Sequence, residues 1–217
     1  MKFDILLKSQ PQVIKLFQNS LRKGRLVHTY LFDGAKGTSK LEAAYYFAAM
    51  LFCKSEEKPC LECEDCQKIL KEQHPDLFLV QPEKGVIKKE QVANLEKEFS
   101  MTSQNKRVYI IVDIDKATAS AANSLLKFLE EMEGDKYGIL TTENLHNVLT
   151  TIRSRSQIIS FRQVSPRIIA EELMQKGVDP ETSNILSILT NNVEECLELI
   201  GEGIILDIIE LVKKICY

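Results

Sequence analysis

The stretch YLFDGAKGTSKLEAAYYFAAML, Tyr30–Leu51, decides the fold. It opens with a short apolar run suited to a buried strand and turns at a glycine-bearing segment. A lysine follows, and then Leu41 to Cys53, an Ala- and aromatic-rich run that reads as a helix buried on most sides. That is the outline of a phosphate-binding loop. In such a loop glycines let the backbone approach the phosphates, a lysine reaches the terminal phosphates and a Ser or Thr hydroxyl holds Mg²⁺. Gly34, Gly37 and Lys40 fit, but Ser39 stands where the second required glycine belongs and Leu41 where the hydroxyl belongs. Leucine has no oxygen to offer a hard cation. On its own the stretch fits either a damaged site or a coincidence.

The flanking segments extend the pattern. Pro11 to Lys23 has a helical period in Val13, Ile14, Leu16, Phe17 and Leu21. Beyond the loop, DLFLVQP reads as a strand, Lys89–Phe99 as an amphipathic helix, and RVYIIVDI as the strongest strand of the chain, apolar enough for the middle of a parallel sheet. Thr118–Met132 is helical with Thr118 as its N-cap; YGILTT is a strand, VLTTIRSR a short helix and QIISF a last strand. Strands alternating with helices predict an α/β domain with a mostly parallel sheet. After Phe161 the strands stop. QVSPR reads as a linker, and Pro166–Tyr217 carries helical periods that end inside the apolar pattern IILDIIELVKKICY.

Across 217 residues the hydrophobic fraction is 44% and the charged fraction 27%, as in an ordinary soluble protein. A net charge of −3 argues against a chain that coats DNA by bulk electrostatics. No apolar run is long enough to span a bilayer, and the first residues do not form a signal peptide, so a cytosolic location is expected. Of 6 cysteines, Cys53, Cys60, Cys63 and Cys66 give a C-x₆-C-x₂-C-x₂-C spacing. In a reducing compartment that clustering points to a closed, structural Zn²⁺ site, the alternative being free thiols. Cys196 and Cys216 sit on apolar helical faces and read as core residues. His74 is a further possible ligand, although a His before Pro75-Asp76 reads more readily as exposed loop.

The segments VHTYLFDGAKGTSK, CLECEDCQKILKEQHPDLFLVQPEKG, KRVYIIVDIDKATASAANSLLKFLEE and ILTTENLHNVLTTIRSRSQIISF follow one another in the order seen in bacterial clamp-loader subunits, and the chain resembles them over most of residues 1–162. These are AAA+ proteins of the DNA polymerase III holoenzyme. HPDLFLVQPEKG and DIDKATASAANSLLKFLEE look like the delta prime type rather than the ATP-hydrolysing gamma/tau type. The resemblance implies an AAA+ P-loop-type domain over residues 1–162 with a zinc module at residues 53–66. A small helical lid over residues 163–217 would follow, and a C-terminal collar domain would be absent. The family's four-Cys module is similar, with a longer first gap.

Anchored on AANSLLKFLEE, the family's Mg²⁺-binding Asp falls on Val112 and its catalytic Glu on Asp113. Without the resemblance, Asp113 and Asp115 read as turn residues after a strand. Thr142 fits the first sensor position, and the cationic sensor of the helical part falls on Glu195, where a carboxylate would repel a γ-phosphate. Ser154-Arg155-Ser156 is similar to the family's Ser-Arg-Cys motif, which implies that Arg155 reaches a neighbouring subunit's ATP site. The plain alternative is that Arg153 and Arg155 cap a helix end.

The expectation is therefore a clamp-loader subunit that does not hydrolyse ATP/Mg²⁺ itself and supplies Arg155 in trans. Its implied partners are the gamma/tau and delta subunits, and through them the sliding clamp and primer-template DNA. An active gamma/tau-type ATPase is the alternative, and it needs a Mg²⁺ ligand that Leu41 and Val112 lack. A zinc-ribbon nucleic-acid module is a third reading, opposed by the near-neutral charge.

Overall fold

In the computed structural model, residues 3–100 and 106–203 are described. Two short helices, α1 (Asp4–Ser9) and α2 (Pro11–Arg22), precede strand β1 (Thr29–Asp33) and helix α3 (Lys40–Phe52). Then come α4 (Glu64–Leu70), β2 (Leu77–Val80), α5 (Lys89–Ser100), β3 (Arg107–Ile111), α6 (Ala119–Glu130) and β4 (Lys136–Thr142). The chain continues through α7 (Thr150–Ser154), β5 (Gln157–Ser160), α8 (Pro166–Gln175), α9 (Pro180–Leu189) and α10 (Val193–Gly201). The predicted strands all form. Helix α4 starts at Glu64, where Glu64 and Asp65 favour a first helical turn.

The five strands make one parallel sheet in the order β2-β3-β4-β1-β5. Its side chains alternate between two cores. Tyr30, Phe32, Val108, Ile110, Ile139 and Ile159 pack under α1–α4, whereas Leu31, Tyr109, Ile111 and Leu140 pack against α5 and α6. Burial on both faces is why these strands read as unbroken apolar runs. At the centre, Tyr109 lies opposite Gly138 in the β3–β4 ladder, and a Cβ on Gly138 would come within 2.0 Å of the tyrosine ring.

The helical C-terminal part has its own small core of Val164, Ile169, Leu173, Leu186, Val193 and Cys196, with Ile5 of α1 packed against it. Cys196 is a core residue as expected, while Cys216 lies outside the described residues. Among the described residues no helix is long and apolar enough to cross a membrane. Thr118 is the N-cap of α6, its hydroxyl accepting from the N–H of Ala121.

Candidate functional site

At the carboxyl ends of β1, β3 and β4 lies a cavity of about 230 Å³, lined by the phosphate loop (Lys36–Glu42), Val112, Asp113, Thr141 and the Asn191–Glu194 turn. This is where an open parallel sheet places its ligand crevice. Gly37 has a φ of +78°, and a Cβ there would sit 2.6 Å from the carbonyl oxygen of Asn191, so the loop and the α9–α10 turn meet as backbone against backbone. Ser39 holds the left-handed conformation (φ 61°) that a glycine would adopt without strain.

The lysine is occupied within the loop. Lys40 Nζ donates to the carbonyls of Gly34 at 2.6 Å and Ala35 at 2.7 Å. Burial lowers its pKa, against the raising effect of Glu143, Asp113, Asp33 and Asp115. Lys36 is held by Glu195 at 3.7 Å. The carboxylates of Glu42, Asp113, Glu143 and Glu194 share the cavity wall with only Lys36 and Lys40. Burial, before the neighbouring Glu194, raises the Glu42 pKa.

Leu41 and Val112, the positions expected from the sequence to carry the magnesium ligands, both line this cavity. Asp113 follows in a left-handed conformation (φ 53°); its N–H donates to the Thr141 hydroxyl at 2.9 Å and its carboxylate binds Lys116 at 2.7 Å. At two expected positions the neighbouring residue lines the cavity. Thr142 is fully buried and does not line the cavity: its hydroxyl donates to Asp115 at 2.7 Å, and Thr141 faces the loop instead. Strand parity is the cause, because Thr141 shares the side of Ile139, under α3, whereas Thr142 shares that of Leu140. Likewise Glu194 faces the cavity, whereas Glu195 accepts from the Thr190 hydroxyl at 2.6 Å and binds Lys36. The Asn191–Asn192 contact had no sequence signal beyond the N-capping asparagine of α10.

Arg155 lies away from this cavity, at the C-terminus of α7. Its guanidinium donates to Glu130 at 2.7 Å and to the Thr151 carbonyl at 3.0 Å, and its side chain is 40% exposed. It therefore does cap its own helix, as the plain reading held, while staying open to solvent. Ser156 donates to the Ile152 carbonyl at 2.9 Å.

The four cysteines converge between α3 and α4. Cys53 ends α3, Cys66 sits in the first turns of α4, and all four Sγ atoms lie within 4.8 Å of one another. Tetrahedral thiolates around Zn²⁺ at roughly 2.3 Å require sulfurs about 3.8 Å apart. The 3.6 Å between Cys53 and Cys60 fits, so the shortened first gap does not exclude Cys53. The N–H groups of Cys60 and Cys63 donate to Cys53 Sγ and Cys60 Sγ, each at 3.4 Å. The Ser55 hydroxyl and the backbone N–H groups of Cys63 and Glu62 lower the Cys60 pKa to about 6, whereas burial pushes the Cys66 thiol up.

His74 is not exposed. It is stacked on Phe52 at 4.0 Å, takes the N–H of Asp76 on Nδ1 at 3.2 Å and turns Nε2 towards Asp65 at 3.7 Å. The flat ring covers the end of α3 and leaves the metal cluster to the sulfurs.

A family profile described as "DNA polymerase III, delta subunit" matches residues 9–165. The delta prime subunit of DNA polymerase III from Bacillus subtilis is 46% identical over 193 residues, covering 88% of this chain and 59% of that protein. The chain belongs to the DNA polymerase III delta prime family. The tau subunit of the same organism is 32% identical over 176 residues, which are 79% of this chain and 31% of tau. Among solved structures, the RuvB Holliday junction branch migration motor of Thermotoga maritima has a TM-score of 0.55 at 15% identity. It covers 94% of this chain and 64% of RuvB, a likeness of fold. This family member thus spans 59% of the length of its B. subtilis delta prime relative.

Proposed function

We propose that this chain is a delta prime-type subunit of a bacterial clamp loader. It assembles in the cytoplasm with gamma/tau and delta subunits and acts through them on the sliding clamp and primer-template DNA. Residues 1–162 form the AAA+ nucleotide-binding-like unit and residues 163–217 the small helical lid, of which residues 204–217 lie outside the described residues. Its own ATP site is degenerate: Gly34, Gly37 and Lys40 preserve the scaffold, but the site does not hydrolyse ATP. Arg155 is the arginine finger for the ATP site of the neighbouring subunit, where a guanidinium offsets charge on the transferring phosphoryl group.

The observation that carries this reading is that Leu41 and Val112 line one cavity and neither offers an oxygen. Without the ion, four carboxylates against two lysines leave a polyphosphate facing net negative charge. The four cysteines hold a structural Zn²⁺, a closed thiolate site with no open position for a reacting water. Steady-state ATPase tests the reading. The chain alone should be silent, and the complex reconstituted with gamma/tau and delta should turn over. Turnover by the chain alone that disappears in Lys40→Ala overturns it in favour of an active ATPase.

A further inference from the structure

The outer edge of β5 bears a groove that neither the nucleotide cavity nor the cysteine cluster uses. Among the described residues, β5 pairs only with β1. The N–H of Phe161 donates to Asp33 at 2.7 Å. In this parallel ladder the peptide groups of Ile159 and Phe161 therefore face β1, and those of Ile158, Ser160 and Arg162 face outward. At Arg162 the outward pair is already taken. The Gln10 carboxamide accepts from its N–H at 3.3 Å and donates to its carbonyl at 2.6 Å, reproducing both bonds of an added strand.

At Ile158 and Ser160 the edge opens onto a cavity of about 410 Å³ between β5 and α2, with an apolar wall of Pro11, Val13, Leu16 and Ile159. Ile158 itself is 41% exposed. Edge strands are normally blunted by shortness, charge, proline or a covering element; β5 is short, but the Gln10 carboxamide covers it only at Arg162. A second cavity of about 440 Å³ continues along α2, sharing Gln12 and Leu16 with the first. Between them they present Lys8, Lys15, Lys23, Arg25 and Arg162 and no carboxylate. Among the described residues, Lys8 alone of these has a carboxylate partner, Glu171 at 3.9 Å. The sequence shows the same bias: no Asp or Glu occurs between Asp4 and Asp33, in a chain with 31 acidic residues against 28 basic.

We propose that this edge is a docking site for an extended peptide segment of a partner protein, in which apolar residues alternate with Asp or Glu. The segment pairs as an added strand with Ile158 and Ser160. Its apolar side chains enter the groove and its carboxylates meet Lys15, Arg162 and their neighbours. Nucleic acid fits less well, because bases bind on aromatic platforms and no aromatic ring lines either cavity.

The test is fluorescence anisotropy on the full chain with a short labelled peptide alternating valine and glutamate. Saturable binding is expected. N-methylation of alternate amides should weaken it about tenfold or more on one edge of the peptide and leave it unchanged on the other, each lost bond being worth about a factor of ten. Lys15→Glu should weaken it too, and a valine–lysine peptide should not bind. Methylating the peptide leaves the protein untouched, so loss of folding cannot mimic the result. No saturable binding, equal losses on both edges, or equal binding of the lysine peptide overturns the proposal. So does tighter, Lys15-dependent binding of oligothymidylate, which would assign the groove to nucleic acid.

Discussion

Lys40 donates to the carbonyl of Gly34 at 2.6 Å, so the lysine that would grip a terminal phosphate is satisfied by the loop that carries it. A second bond, to Ala35 at 2.7 Å, completes the arrangement. The ammonium has become part of the loop's own structure, and its removal strands two carbonyls. Lys40→Ala should destabilise the fold by about 2 kcal/mol, the size of a lost charge-assisted hydrogen bond. The urea midpoint checks this, alongside calorimetry with MgATP. A variant as stable as the parent that has lost measurable MgATP binding would show that the lysine still serves a nucleotide.

Arg155 should separate stability from function. Its pair with Glu130 joins side chains 40% and 55% exposed, and such pairs contribute less than about 1 kcal/mol. Arg155→Ala is therefore expected to leave the thermal midpoint of the isolated chain nearly unchanged while lowering the ATPase of the reconstituted complex. Glu130→Gln releases the guanidinium and should keep that ATPase. Equal activity of the complex with either variant removes the arginine-finger assignment.

What was legible in the sequence follows from periodicity. A sheet buried on both faces writes its strands as continuous apolar runs, and DLFLV, RVYII and YGILTT all became strands. The helices of the phosphate-loop side were equally plain. One-residue register was not. Thr141 and Thr142 are chemically identical, and only the side of the sheet on which α3 packs decides which of them meets the loop. Glu194 and Glu195 pose the same problem on α10, where the choice depends on how the turn after α9 seats on Gly37. His74 was misjudged because a Pro-Asp neighbourhood signals a turn but not the Phe52 ring beneath it. All three depend on tertiary contacts that the local pattern does not carry.

Gly138 is a position where the local pattern gives no hint of its cost. It sits mid-strand, where glycine is ordinarily unfavourable, yet its missing Cβ is the space that the Tyr109 ring occupies. Tyr109 is fully buried and makes edge contacts with Phe99 at 5.5 Å and Phe128 at 5.2 Å, so it has nowhere to retreat. Gly138→Ala should cost about 3 kcal/mol or more through overpacking. The double variant Gly138→Ala with Tyr109→Phe leaves the ring in place and should recover little, whereas Tyr109→Leu in the same background should recover more. Chemical denaturation of the set gives the answer, and an alanine variant as stable as the parent would mean the ring is freer than its packing indicates.

The cysteine cluster makes a quantitative claim about stoichiometry. Cys53 and Cys66 are buried against the main core, whereas Cys60 and Cys63 are half-buried in the connecting loop. A bound metal would thus tie a polar loop to the ends of α3 and α4, and its binding energy would count as folding energy for that segment. Metal analysis should find one Zn²⁺ per chain. Cys→Ser at any of the four positions should lower occupancy, Cys53 included despite its distance in sequence. Chelation should lower the thermal midpoint and expose the loop at Cys60 and Cys63 to proteolysis, while protection of the central strand β3 from hydrogen exchange persists. The decisive variant is Cys53→Ser. If it retains Zn²⁺ as tightly as the parent, the first ligand is not Cys53; if all four variants retain it, the thiols are merely neighbours.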